Sequence, residues 1–369
     1  MSGEFNEYMT SKERVAAVLT GQPFDRIPVF MLQSDQAARA IGVTVADYQN
    51  SAELMAHGQL TSWREYGLDT LNTGPGLHGI AEAAGSRLHF PDSTPYIAEA
   101  AISEYSDLDS LKVPDPLHDG RLPLFLKATE IVVKEAGDRA LISLTTAGPF
   151  TTASGLRGTD QLMRDLRRNP QFVHDLLRFS TDCTVAFARE VFKLGGRITI
   201  AEPVASGTLI SRKQFVEFVA PYLKELIGVV KEVTGGAPAL HICGNSSRIW
   251  SDMADCGAGI LSLDDEVDLA DARAAVGERV ALVGNIRPTA TMVQGTPDDV
   301  RRNAIECLLK GVGTPKGYIL GLGCGLPINT PFENIKALVA SAREYGRWPI
   351  DLGRLENVRL KTSPFLKGD

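Results

Sequence analysis

The chain has 369 residues, of which 44% are hydrophobic and 22% are charged. These fractions are close to those of ordinary globular domains, which excludes a disordered chain, a collagen or a long coiled coil as a description of the whole. The formal charge of −7, from 38 basic and 45 acidic residues, argues against a general nucleic-acid binder, because such a protein needs a basic surface to neutralise phosphates.

Cysteine usage and the N-terminal segment indicate the cellular compartment. Five cysteines are too few, and an odd number, for the disulfide framework of a secreted domain. The N-terminal segment has no apolar core of the kind found in a signal peptide, and no apolar run reaches the roughly 18 residues that a membrane span needs. We therefore expect a cytoplasmic protein without a membrane contact, whose cysteines are free to bind metal or to act as thiols.

The first predicted element is a helix that begins after Thr10. Thr10 and Glu13 have the spacing of a capping box, in which each side chain satisfies the other's backbone amide, and apolar residues at helical spacing follow them. Beyond this N-terminal helical extension, the apolar segment Ile27–Leu32 predicts a buried strand.

From there, short apolar segments of strand length alternate with longer helical patterns. The eight predicted strands are Ile27–Leu32, Leu68–Leu71, Leu141–Thr145, Ile198–Ala201, Ala239–Ile242, Ile260–Leu263, Val280–Val283 and Ile319–Leu322. The helical patterns include 160–168, 172–193, 213–233, 297–311 and 332–345. Apolar strands separated by helices indicate parallel strands that are covered on both faces. Eight of them favour an α/β fold of the (β/α)8 TIM barrel type, and an open doubly wound sheet is the alternative.

The segment 74–138 is less regular and rich in proline. We interpret it as an elaborated loop region above the barrel. No long flexible linker interrupts the chain, so we expect residues 1–369 to form a single domain. Because the active sites of such barrels lie beyond the C-terminal ends of the strands, the polar and glycine-rich segments that follow the predicted strands are the place to look for chemistry.

Two of these segments contain the residues of a possible metal site. His241 and Cys243 are separated by one residue at a strand end, so both side chains point to the same face. Cys324 also ends a strand and lies among glycines that allow close backbone approach. One imidazole and two thiolates leave the fourth position of a tetrahedral zinc ion open, as in catalytic zinc sites. Buried cysteines that only pack, and a histidine that is only hydrogen-bonded, are the alternative.

The segments LHICGNSSRIWSDMADCGAGILSLDDEVDL, RVALVGNIRP and LGLGCGLPINTPFENIKALV resemble the methylcobamide:thiol methyltransferases of the uroporphyrinogen decarboxylase superfamily. The resemblance extends to KERVAAVLTGQPFDRIPV near the N-terminus and is weakest between about 34 and 140. It implies a (β/α)8 barrel with zinc bound by His241, Cys243 and Cys324. It also implies transfer of a methyl group between a corrinoid and a zinc-activated thiol such as coenzyme M.

The resemblance leaves the direction of transfer and the branch of the superfamily open. A methoxylated aromatic, a methylamine or a methyl halide could instead bind at zinc and methylate cob(I)alamin. A uroporphyrinogen decarboxylase-like, tetrapyrrole-binding protein is a further alternative. It is less favoured because decarboxylases have an arginine-rich N-terminal motif, whereas this chain has no arginine between Arg26 and Arg39. The expected partners are a corrinoid protein or free cobamide, and a small thiol or methyl donor.

Further candidates follow other predicted strands. Glu202 could fill the fourth zinc position or hold one of the zinc ligands in place without binding the metal itself. A solvated or ion-paired glutamate at the rim of the barrel is equally possible. Asn245, Asn285 and His78 are weaker candidates for contacts with the corrinoid or the substrate.

Other acidic and thiol side chains are given structural interpretations. We expect the acidic run 264–266 to lie on a solvated face. We expect Cys183, Cys256 and Cys307 to be packing residues.

Overall fold

The computed structural model describes residues 7–32, 35–91 and 94–362, and its centre is a ring of eight parallel strands. The strands of the whole described chain are β1 (Val29–Phe30), β2 (Thr70–Leu71), β3 (Arg87–His89), β4 (Tyr96–Glu99), β5 (Leu141–Ala147), β6 (Arg197–Ala201), β7 (Ala239–Ile242), β8 (Ile260–Leu263), β9 (Ala281–Ile286) and β10 (Tyr318–Leu322). The order in the main sheet is β1-β10-β9-β8-β7-β6-β5-β2, while β3 and β4 form a separate antiparallel hairpin.

Helices cover the outside of this ring, as parallel strands buried on both faces require. The helices of the described chain are α1 (Ser11–Leu19), α2 (Gln36–Ala40), α3 (Val45–Gln49), α4 (Ala52–Tyr66), α5 (Gly79–Ala83), α6 (Leu122–Ala136), α7 (Pro149–Arg157), α8 (Thr159–Arg168), α9 (Pro170–Lys193), α10 (Arg212–Gln214), α11 (Ala220–Thr234), α12 (Trp250–Asp255), α13 (Leu269–Val276), α14 (Pro297–Gly311), α15 (Phe332–Tyr345) and α16 (Leu352–Thr362). A π-helical turn, Phe215–Val219, joins α10 to α11. None of the described helices combines the length and apolar composition needed to cross a membrane.

The predicted (β/α)8 barrel is confirmed, and four of the predicted helices agree with α8, α9, α14 and α15 to within a few residues, while the predicted helix 213–233 covers α10, a π-helical turn and α11. Two predictions need correction. The segment 74–138 is not all loop, since α6 is a barrel helix that packs against α4 and α9. The first two strands are also shorter than the apolar segments that predicted them, because only two residues of each pair in the ladder.

The N-terminal helix α1 lies at the end of the barrel where the strands begin. The capping box at its start is present, with Thr10 accepting from the backbone of Glu13 and Glu13 accepting from that of Thr10. The backbone N–H of Lys12 donates to the carbonyl of Arg139, just before β5, at 3.1 Å. The extension therefore covers the N-terminal end and leaves the opposite, C-terminal end of the strands for a site.

The barrel closes between β1 and β2 through Asp69 rather than through a regular ladder. The backbone N–H of Asp69 donates to the Val29 carbonyl at 3.4 Å, and its carboxylate accepts from the Val29 N–H at 2.7 Å. The same carboxylate forms ion pairs with the buried guanidinium groups of Arg14 and Arg26. A buried charge cluster thus fastens the two shortest strands to α1.

Candidate metal centre at the C-terminal end of the barrel

His241 lies in β7 with its side chain inside the barrel. It is buried, and in the strand register it is directly opposite Ser262 of β8. Its Nδ1 lies 3.1 Å from the Ser262 hydroxyl and 3.2 Å from the Ser262 carbonyl oxygen. Because a carbonyl can only accept, Nδ1 is the protonated nitrogen, and the Nε2 lone pair is left for a metal.

The two cysteines meet at this Nε2. Cys243 Sγ lies 3.2 Å from His241 Nε2 and 3.5 Å from Cys324 Sγ, although 81 residues separate the two cysteines in the chain. Close packing of the loop after β10 permits this, since a Cβ on Gly323 would lie 2.6 Å from the Asp265 backbone nitrogen. The predicted trio is therefore brought together at the C-terminal end of the barrel.

The three ligand atoms have the spacing of one metal ion. They lie within 4.8 Å of one another, and this is the one such group among the residues that the structure describes. With Zn–S bonds of about 2.3 Å and Zn–N bonds of about 2.0 Å, ligand atoms of a tetrahedral site lie roughly 3.5–3.8 Å apart. The distances from Cys243 Sγ to His241 Nε2 and to Cys324 Sγ need to expand by only a few tenths of an ångström, so the donor set and these two distances fit zinc.

The two thiols differ in the direction in which their surroundings shift the pKa. A hydrogen bond from Cys243 lowers the pKa of the Cys324 thiol despite its burial. The same hydrogen bond, together with burial, raises the pKa of Cys243 well above its ordinary value. Cys324 is therefore the sulfur that loses its proton more readily, and the thiolate is the form that binds metal.

Ser262 was not predicted from the sequence. The available signal is a serine inside the otherwise apolar strand β8, on the face that the alternation of side chains turns toward the barrel interior. Its pairing with His241 depends on the register between two strands, which sequence spacing does not give. Ser262 holds the imidazole in the orientation that metal binding needs.

Replacing Ser262 by alanine is expected to weaken zinc affinity by about tenfold, the lower end of the range for such supporting partners, because the Ser262 carbonyl still holds Nδ1. Competition with a chelating dye measures this effect. Ser247→Ala, which removes an exposed hydroxyl that contacts Asn245, is the control. Equal affinity in both variants would contradict the orienting role.

The acidic run after β8 is not a uniformly solvated face. Asp264 is buried, and its carboxylate accepts from the Gly244 backbone N–H at 2.9 Å and from the Glu266 N–H at 3.1 Å. The expectation of a solvated face is wrong for Asp264, while Asp265 and Glu266 are exposed. Asp264 therefore fixes the loop that contains Cys243.

Glu202 follows β6, but its carboxylate is directed to a helix terminus. Its two oxygens accept from the backbone N–H groups of Phe150 and Thr151 at 2.9 and 2.7 Å, at the start of α7. Complete burial raises the pKa of Glu202 to about 7, and these hydrogen bonds oppose the increase. Glu202 is outside the group of converging ligand atoms, and its own N–H donates to the His241 carbonyl at 2.9 Å. A role in support of the metal ligands stays a prediction.

The three weaker candidates lie in different surroundings. Asn245 is exposed, and its side-chain oxygen accepts from Ser247. The amide of Asn285 donates to the carbonyls of Asp264 and Val267 at 3.0 and 2.8 Å, so it connects β9 to the loop after β8. His78 alone lines the cavity beside the metal ligands, and burial lowers the pKa of its imidazole.

The remaining cysteines are buried away from this centre. Burial raises the pKa of the Cys183, Cys256 and Cys307 thiols to about 12 in each case. None of them is part of the described group of converging ligand atoms. Their surroundings agree with the packing role that the sequence predicted.

A cavity of about 350 Å³ opens onto the metal ligands. Strand ends, including Thr145 of β5 and Ala201 of β6, form part of its lining together with the ligand trio. The β3–β4 hairpin and the loop after β10 contribute mostly apolar side chains to the rest. The arrangement can hold a small molecule against the metal position and separate it from bulk water.

Comparison with known proteins defines the class to which this fold and site belong. The sequence profile of the uroporphyrinogen decarboxylase (URO-D) family matches residues 10–345. The chain therefore belongs to the uroporphyrinogen decarboxylase family.

Within that family, the resemblance to methylcobamide:thiol methyltransferases is confirmed. The chain is 32% identical over 342 residues to "Methylcobamide:CoM methyltransferase MtaA" of Methanosarcina barkeri, which covers 91% of this chain and 98% of the relative. It is 30% identical over 275 residues to a uroporphyrinogen decarboxylase of Chlorobaculum tepidum, which covers 72% and 76%. A solved structure, "methyltransferase from Methanosarcina mazei", superposes with a TM-score of 0.83 at 30% identity and covers 91% of this chain and 99% of its own.

Proposed function

We propose that this protein is a zinc-dependent methyltransferase that moves a methyl group between a corrinoid and a small thiol. The observation that carries the proposal is the convergence of His241, Cys243 and Cys324 beside a cavity at the catalytic end of the barrel. Similarity to methylcobamide:CoM methyltransferases over nearly the whole chain supports the same reaction class. A metal-free decarboxylase would leave this donor set without a use.

The chemistry requires a thiolate at neutral pH, whereas a free thiol with a pKa of about 8.5 is mostly protonated. His241, Cys243 and Cys324 would hold zinc and leave one position open to the substrate. When bound, zinc supplies Lewis acidity that stabilises the substrate sulfur as a thiolate. Attack of that sulfur on the methyl carbon breaks the cobalt–carbon bond, and the bonding electron pair stays on the cobalt of cob(I)alamin.

The residues of the chain orient and protect this reaction. Ser262 keeps His241 Nε2 directed at the metal position, and Asp264 holds the loop of Cys243 through the Gly244 N–H. The apolar side chains of the cavity exclude water from the sulfur, which strengthens electrostatic interactions there. The corrinoid, free or on a partner protein, approaches from the open end of the barrel.

The proposal predicts that purified protein catalyses demethylation of methylcobalamin when a thiol is supplied, seen as a change in the visible spectrum of the corrinoid. Metal analysis of the same sample is expected to give zinc near one per chain. A parallel assay with reduced corrinoid and methoxylated, amine or halide methyl donors measures the opposite direction. Lack of turnover with every thiol, in protein that contains zinc, would contradict the thiol reaction, and lack of zinc would contradict the metal centre.

A further inference from the structure

The cavity beside the metal ligands contains a carboxylate without an ion-pair partner among the described residues. Asp35 is 4% exposed and lines the cavity just before α2. Its Oδ1 accepts from the Gln49 amide at 2.6 Å, and its side chain does not cap the helix that follows. Among the described residues, the Asp35 carboxylate therefore has a neutral amide as its hydrogen-bond donor and no cation to compensate its charge.

The cationic side chain that lines the cavity is already neutralised. The Nε of Arg121 donates to both carboxylate oxygens of Glu82, at 3.0 and 2.9 Å. Its Nη1 donates to the Gln49 carbonyl at 2.8 Å, and its guanidinium lies over the Phe90 ring at 4.6 Å. No other lysine or arginine lines the part of the cavity that the structure describes.

The described lining thus contains one carboxylate, that of Asp35, and one guanidinium, that of Arg121. The guanidinium of Arg121 is paired with Glu82, which lies outside the lining, whereas Asp35 has no ion-pair partner among the described residues. The rest of the wall is largely apolar, with Leu77, Leu88 and Leu326 among its residues. A buried carboxylate in such surroundings is stabilised by a cation or a hydrogen-bond donor and is destabilised by a second anion.

We infer that Asp35 recognises the end of the substrate remote from sulfur, and that this end is a cation or a neutral hydrogen-bond donor rather than a sulfonate or a carboxylate. The inference rests on the proposed function, which places the sulfur at His241, Cys243 and Cys324, and it adds the class of the substrate. It also separates this chain from an enzyme for 2-mercaptoethanesulfonate, because that thiol would bring a sulfonate to a cavity where the Asp35 carboxylate has no cationic partner among the described residues.

Three thiols that share a two-carbon body test the inference. They are 2-aminoethanethiol, 2-mercaptoethanol and 2-mercaptoethanesulfonate, which are cationic, neutral and anionic at the remote end. Calorimetry on the zinc-loaded full chain measures their Kd values in the unchanged protein, in Asp35→Asn and in Asp109→Asn. Asp109 is exposed and outside the cavity, so its replacement makes the same change in net charge without changing the site.

The unchanged protein is expected to bind the cationic thiol more tightly than the anionic one. Asp35→Asn is expected to reduce that preference by roughly tenfold or more, as loss of a hydrogen bond to a charged partner does, whereas Asp109→Asn leaves it unchanged. Tightest binding of the sulfonate, an unchanged preference in Asp35→Asn, or no binding of any of the three thiols would overturn the inference.

Rates of methylcobalamin demethylation in the same samples keep the two proposals apart. The expected binding order without turnover would contradict the proposed function and leave recognition by Asp35 supported. Turnover with the sulfonate preferred would support the proposed function and contradict the substrate class.

Discussion

Cys243→Ala is expected to lose the bound zinc and to slow corrinoid demethylation by more than about 100-fold, since removal of mere supporting partners already costs 10–100-fold. The variant leaves one thiol and one imidazole, which is too few ligands to hold zinc with a single position open. Metal analysis after dialysis and the spectrum of methylcobalamin with thiol measure the two effects independently.

The matched control for this variant is Cys256→Ala. It also removes one sulfur, from a buried cysteine whose Sγ contacts the Ala220 carbonyl rather than the metal ligands. It is expected to keep its zinc and its rate. If Cys243→Ala retains stoichiometric zinc and demethylates at the rate of the control, the metal centre is located elsewhere and the proposed chemistry is wrong.

The sequence was sufficient for the parts of this molecule that depend on local periodicity. Alternation of side chains along a strand placed His241 and Cys243 on one face, and the structure brings them to one point. Cys324 was predicted to lie near these two residues because it ends another strand, and all parallel strands of a barrel end on the same side. The barrel itself follows from the alternation of apolar strands with helices.

The parts that could not be predicted depend on contacts between distant segments. The partner of His241 is set by the register of β7 against β8, and the direction of the Glu202 carboxylate is set by the start of α7, where Phe150 lies 52 residues earlier in the chain. The charges of the cavity belong to Asp35 and Arg121, from loops in the region where the family resemblance is weakest. No regular spacing in the sequence indicates that these residues lie close to their partners in the fold.

The same limit applies to the cluster that closes the barrel, where the largest effect on stability is expected. Asp69→Ala should lower the free energy of unfolding by about 3–5 kcal/mol, because removal of one member of a buried ion pair leaves the others without compensation. Arg14 and Arg26 are each about 1% exposed, and both form ion pairs with Asp69. The variant also removes the acceptor of the Val29 N–H, in the strand that closes the ring.

The urea midpoint, or the Tm where unfolding is irreversible, measures this loss. Glu135→Ala is the matched control, since Glu135 pairs with Arg64 at 2.8 Å while both side chains are about half exposed. Exposed pairs of this kind contribute about 0–1 kcal/mol, because water screens them and holding two long side chains together is entropically unfavourable. Equal midpoints for the two variants would mean that the strands close the barrel without the buried charges, and that Asp25 and Glu7 are sufficient to balance the two arginines.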